Sequence, residues 1–258
     1  MYSNNRLVIL DADGTTVDAF DAIQKAFTAE GMDLGDLSRF QKRRNIFKYI
    51  GGLKEFPTNL KQQIGKKKRL QLIETLTDVY RNQAKMFDGI PDLINRMIGQ
   101  PNLKVGIVTR NITMEPHETL TQLLARHGVD TAALDFFVHI PLSEEKTHHF
   151  RKLRENFNAN PALSYACGDE KKDYVAALGS GLFPFIVSYG FESTRRLMEK
   201  ALVPEELISH TPNELIKRVS HTLQIESEAG HTLPLTQQRV QNLGQESRNT
   251  GQPASESL

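Results

Sequence analysis

The chain has 258 residues, enough for one large domain or two modest ones, and its 39% hydrophobic content is ordinary for a globular protein. Its 32 lysines and arginines nearly cancel its 31 acids, leaving a formal net charge of +1, so the overall balance gives no case for nucleic acid or a membrane surface as partner. One cysteine, Cys167, excludes an internal disulfide framework; the start MYSNNRLVIL lacks the pattern of a secretory signal, and no stretch approaches the roughly 20 apolar residues of a membrane helix, so a cytoplasmic protein is expected.

In chain order, RLVIL (6–10) reads as a strand that ends abruptly in Asp11 and Asp13, followed by Gly14, Thr15 and Thr16. Residues 18–88 then read as helical, most clearly over 18–31 and 66–87. Next comes a helix over 90–99, with Pro91 in its tolerant first turn. A strand over 103–109 precedes a helix over 114–128 that ends at Gly128. A strand over 136–140 is followed by a helix over 143–157, for which Ser143 and the acids after it are N-terminal signals. A strand over 164–168, a helix over 171–181 and a strand over 183–189 complete the alternation. Beyond about 224 the chain turns rich in Gln, Ser, Asn and Gly and too poor in apolar residues to offset its ordering entropy.

The strands are near-continuously apolar, the mark of parallel strands covered on both faces, and they alternate with helices. The expected class is therefore α/β, a Rossmann-like doubly wound parallel sheet. The first two strands lie roughly 90 residues apart, far more than one crossover helix needs, so a small all-helical cap domain is expected as an insertion. The expected division is a core of 1–17 and 88–223, a cap of 18–87 and a disordered tail of 224–258.

Each strand tip delivers polar groups: Asp11 and Asp13 from the first; Thr109, Arg110 and Asn111 from the second; Lys146 after the third; Gly168, Asp169, Glu170 and then Asp173 after the fourth. In a parallel sheet these converge on one edge, where such folds bind ligands. Carboxylates in this number suit Mg2+, and a lysine with a hydroxyl suits a phosphate. Plainer roles compete with each: DADG is ordinary turn chemistry, and Asp169 would serve as a helix cap. Neighbouring His148 and His149 point different ways on a helix and make a poor chelating pair. Cys167 reads as a small packed side chain. The insertion is locally basic, and Arg43, Arg44 and Lys48 are candidates, with Arg110, to meet a negatively charged leaving group. The glycines of YIGGLKEFP (49–57) suit a tight loop that reports on the substrate.

Taken together, DADGTTVD (11–18), IVTRN (107–111), Lys146 and CGDEKKD (167–173) resemble the four motifs of the haloacid dehalogenase superfamily of phosphohydrolases, over residues 6–220. The insertion resembles the helical cap of the branch that holds phosphoglycolate phosphatases, phosphonatases and β-phosphoglucomutases. YGFESTRRLMEK and ISHTPNELI are similar to the end of phosphoglycolate-phosphatase-like sequences. The resemblance implies Asp11 as nucleophile and Asp13 as general acid and base. It implies Thr109 and Lys146 on the transferring phosphoryl group, and Mg2+ held by the Asp11 carboxylate, the Asp13 carbonyl and Asp169. Gly14, Thr15, Arg110 and Asn111 would contact a small phosphorylated substrate, with Glu170 and Asp173 in support behind the metal ligands. Members that cleave carbon–halogen bonds lack the second acid, and phosphonatases carry alanine there. Asp13 therefore favours phosphate-ester hydrolysis, with a phosphomutase or phosphonate-cleaving enzyme as the alternative. Thr16 stands where a leucine is common, and TRN replaces the usual small-Asn-Lys stretch; both departures bear on the substrate.

Overall fold

The computed structural model describes residues 3–32 and 66–225. Six strands form one sheet in the order β3-β2-β1-β4-β5-β6, every neighbouring pair parallel. They are β1 (Arg6–Leu10), β2 (Leu103–Thr109), β3 (Phe136–His139), β4 (Ser164–Gly168), β5 (Phe183–Val187) and β6 (Ile208–Ser209). The described helices are α1 (Ala19–Ala29), α2 (Lys66–Asn82), α3 (Ile90–Ile98), α4 (Pro116–Arg126), α5 (Lys146–Asn156), α6 (Lys171–Ser180), α7 (Thr194–Ala201) and α8 (Pro212–Leu223).

Period-two alternation along β1 explains the layers. Val8 and Leu10 enter a core shared with α1, α2, α3, α4 and α8, whereas Leu7 and Ile9 enter a second core with Phe150 and Leu153 of α5 and Ala176 and Ala177 of α6. Both faces of the central strand are thus covered, which is why its sequence is apolar without interruption. The doubly wound class expected from the sequence is the observed one.

After β1 the chain turns sharply. Thr16 Oγ1 donates to the carbonyls of Asp11 and Ala12 (both 3.1 Å), and Asp18 caps α1 by accepting from Asp21 N at 3.1 Å. Val17 then pairs antiparallel with Met86, and Asp18 N and Phe87 N donate to Lys85 O and Thr16 O, so the chain around 17 and around 86 lies side by side. Helices α1 and α2 pack in the same apolar cluster as β1 through Ile23, Phe27, Leu72, Leu76 and Tyr80.

Several expected boundaries move. The helix expected over 66–87 stops at Asn82, because the chain must straighten for Met86 to meet Val17, and the Ala84 carbonyl is taken by Arg126 and His127. The helix expected from Ser143 begins at Lys146 after the extended Glu145; the chain first turns, with Glu144 N donating to Pro141 O. The strand expected over 183–189 ends at Val187, because Tyr189 turns its hydroxyl onto the carbonyl of Thr15 at 3.0 Å. The strand expected over 136–140 ends one residue early. The tail was expected from 224, yet Gln224 caps α8 and Ile225 is buried against the core. The rest of the tail lies outside the described residues, as do Arg43, Arg44, Lys48 and the loop 49–57. Among the described residues no helix is long and apolar enough to cross a membrane.

Candidate active site

The strand tips converge as the topology requires. Asp11, Asp13, Thr109, Arg110, Lys146, Asp169 and Glu170 line one cavity of about 90 Å3, closed on its far side by Ile23 of α1 and Leu76 and Tyr80 of α2. That volume is well below the 300–1,000 Å3 typical of drug-sized ligands, so the described walls fit a small polar group.

Lys146 organises one end. It is the first residue of α5, only 2% exposed, and its ammonium lies 2.8 Å from Asp11 Oδ1 and 2.6 Å from Asp173 Oδ1. Burial pulls its pKa down, but the two carboxylates outweigh that and hold it above the ordinary lysine value. Asp173 also accepts from Glu170 N at 3.0 Å, half of a capping box that starts α6 with Glu170 as its cap. The capping role open to Asp169 in the sequence therefore falls to Glu170. The Glu170 carboxylate pairs with Arg110 at 3.1 Å across the cavity mouth.

Asp11, Asp169 and Asp173 each offer an oxygen, and these atoms lie within 4.8 Å of one another. Three buried carboxyl groups thus crowd together beside one ammonium, which bonds two of them, Asp11 and Asp173. Burial, with Asp173 and Asp13 adding to it against Lys146, pushes the Asp11 carboxyl up to about 7. Burial followed by Glu170, Asp11 and Asp173 drives Asp169 well above the ordinary carboxylate range. Asp169 Oδ2 accepts from Phe191 N at 2.5 Å, while its Oδ1 is buried with no hydrogen-bond partner among the described residues. Clustered carboxylate oxygens, one of them buried and unsatisfied, are what a hard divalent cation requires, so the residues present fit Mg2+.

Asp13 is treated differently. Its carboxylate turns to the α2 side, where Oδ1 accepts from Tyr80 OH at 2.8 Å and from Asn111 Nδ2 at 3.1 Å, and Oδ2 from Asn111 Nδ2 at 2.9 Å. Burial raises its pKa, and the Tyr80 and Asn111 hydrogen bonds draw it part of the way back. Its carboxylate is not one of the three whose oxygens gather within 4.8 Å of one another. Thr109 Oγ1, buried at the β2 tip, has no partner among the described residues either, and the same holds for Thr15 Oγ1. Gly14 (φ +82°) packs so tightly on Asp169 that a Cβ there would collide with its carboxylate, and a Cβ on Gly190 would strike both Gly14 O and Asp169.

Two further residues give little support to other chemistry. His149 bonds Glu144 at 2.9 Å, outside any shared site with His148. Cys167 is buried, and burial alone pushes its thiol up to about 12, which leaves it inert at neutral pH. Tyr80, Gly190 and Phe191 were not among the residues expected at the site. Tyr80 sits in the apolar stripe of a helix, and Phe191 acts through its backbone N–H; the one available signal was the glycine after a strand in SYGFE.

A parallel sheet with strand-tip carboxylates, a hydroxyl and a buried lysine around one hollow defines a doubly wound hydrolase-type site. The chain belongs to the haloacid dehalogenase-like hydrolase family, whose model matches residues 8–187. Its fold is shared with a candidate phosphoglycolate phosphatase of Lactobacillus delbrueckii subsp. bulgaricus (TM-score 0.56, 16% identity, 84% of this chain and 99% of that one). It is shared as well with a hydrolase from Pseudomonas syringae (0.55, 19%, 84% and 99%) and with CbbY from Rhodobacter sphaeroides in complex with phosphate (0.52, 17%, 74% and 89%). No curated protein sequence matches the chain.

Proposed function

We propose that the protein is a Mg2+-dependent phosphatase that hydrolyses a small phosphorylated metabolite through an aspartyl-phosphate. The observation that carries this reading is the pair of unsatisfied buried oxygens, Asp169 Oδ1 and Thr109 Oγ1, in residues that line one cavity with Asp11 and Lys146. The first asks for a cation, the second for an acceptor such as a phosphoryl oxygen.

Asp11, the Asp13 carbonyl and Asp169 would hold Mg2+, with Asp173 beside them; the ion would supply positive charge between nucleophile and phosphate. Asp11 attacks phosphorus as the bond to the ester oxygen breaks, and Asp13 gives that oxygen its proton. Asp13 then takes a proton from the water that attacks the aspartyl-phosphate, which returns Asp11 and releases inorganic phosphate. Lys146 favours the ionised form of Asp11 and, with the Thr109 hydroxyl, faces charge on the phosphoryl oxygens. The backbone around Gly14 and Thr15 and the side chains of Arg110 and Asn111 line the substrate's approach, with Glu170 and Asp173 holding Arg110 and Lys146 in place. The inserted segment 18–87 acts as a cap over this edge, and the core is 1–17 with 88–223. A free buried cysteine fits a cytoplasmic location.

The test is phosphate release from p-nitrophenyl phosphate. We expect activity with Mg2+, none with excess EDTA, and a loss of at least about 1,000-fold in Asp11→Asn. An Asp11→Asn enzyme that retains activity removes the nucleophile assignment.

A further inference from the structure

We propose that Tyr80 is the positioning residue for Asp13: its hydroxyl, delivered by α2 from 67 residues along the chain, aims the Asp13 carboxylate at the leaving-group side of the cavity. The inference rests on the reading of Asp13 as the residue that exchanges protons with the leaving oxygen.

The geometry favours a designed hold over a chance contact. Tyr80 is 1% exposed and its ring packs in the main core, so the hydroxyl has little freedom to seek another partner. A buried tyrosine hydroxyl needs a partner, and here the partner is a buried carboxylate, which makes the bond charge-assisted. Asn111 completes the grip, and it is itself fixed: its Oδ1 accepts from Thr113 N at 2.9 Å and from the Thr113 hydroxyl, and its carbonyl meets His139 Nε2 at 3.0 Å. Helix α2 is tied to the same loop, because Thr77 Oγ1 accepts from Met114 N at 2.9 Å and Arg81 donates to Glu115 at 2.8 Å. The two donors to Asp13 therefore come from two elements that are pinned to each other. Without the hydroxyl, Asn111 Nδ2 is the one side-chain donor left to the Asp13 carboxylate among the described residues, and the α2 half of the grip is gone.

The experiment compares wild type, Tyr80→Phe, Asp13→Ala and the double variant on two probes of similar shape. Benzyl phosphate leaves as a basic alkoxide that needs a proton; p-nitrophenyl phosphate leaves as a stable phenolate. Tyr80→Phe keeps the buried ring, and is expected to lower kcat/KM about 10- to 100-fold on benzyl phosphate and less than about threefold on p-nitrophenyl phosphate, a fraction of the roughly 100- to 10,000-fold that general acid catalysis supplies. In the Asp13→Ala background the same substitution should cost nothing further. Equal losses on both probes, no loss on benzyl phosphate, or an undiminished loss without Asp13 would each overturn the proposal. A crystal structure of Tyr80→Phe supplies a reading independent of turnover: the Asp13 carboxylate should move, and one that stays within about 0.5 Å of its place refutes the positioning role. Wild-type protein inactive on both probes would count against the phosphatase reading, and the crystal structure would still decide the role of Tyr80.

Discussion

Replacing Lys146 by methionine tests the electrostatic account of the site most directly. The substitution keeps the length of the chain that fills the space and deletes the ammonium that sits 2.8 Å from Asp11 and 2.6 Å from Asp173. Removing one partner of a buried ion pair leaves an uncompensated charge, at a cost of about 3–5 kcal/mol, and here two carboxylates lose their partner at once. The cost must depend on pH. The Asp11 carboxyl already lies near 7, against an ordinary 3.8, and Lys146 is what restrains it. A carboxyl raised in the folded state contributes stability that is complete below its unfolded pKa and is lost as pH rises through the folded one. Without Lys146 that folded value rises further, so the variant should be nearly as stable as wild type near pH 4.5 and fall furthest behind at pH 8. At pH 8 the deficit corresponds to roughly 6–20 °C in Tm for a folded unit of this size. Urea unfolding at the two pH values, with and without Mg2+, measures it, and added Mg2+ should recover part of the loss at pH 8. A deficit that is the same at both pH values, or absent at pH 8, would show that the ammonium does not neutralise this cluster.

Three other outcomes are expected. Thr109→Val removes a hydroxyl that bonds nothing among the described residues, so Tm should change by less than about 2 °C while kcat falls about 100- to 1,000-fold, as measured by melting and by phosphate release. Gly190→Ala should weaken Mg2+ binding at least tenfold by calorimetry, because the added methyl displaces Asp169 from its place against Gly14. The rise in Tm caused by a fixed Mg2+ concentration should be larger at pH 8 than at pH 5.5, since Asp11 and Asp169 are raised and must lose protons to bind the ion; a rise that is equal at the two values contradicts the ligand set.

The sheet was legible because β1, β2 and β4 are buried on both faces and the half-buried β3 and the edge-ward β5 are apolar too: five of the six announce themselves as apolar runs, and only β6, two residues long, carries too little pattern to notice. The convergence of Asp11, Thr109, Lys146 and Asp169 followed from topology alone, since parallel strands put their carboxyl ends on one edge. Helix limits were less readable. Ser143 is a good cap by composition, yet the chain spends it in a turn, and α2 ends five residues early for the sake of a single bridge to Val17. The hold on Asp13 was invisible for a different reason. Within VYRN, Tyr80 looks like one more apolar position of an amphipathic helix, and only the packing of α2 on the sheet reveals that its hydroxyl has a polar destination.

The crowding of Gly14 and Gly190 around Asp169 makes absence a structural ingredient. Two loops that enter from opposite ends of the sequence are drawn together over one carboxylate because neither carries a side chain. Any relative that keeps every acid but places a bulkier residue at both points would retain the chemical letters and lose the spacing that gives them meaning. In such a chain, restoring the two glycines would be the first repair to attempt.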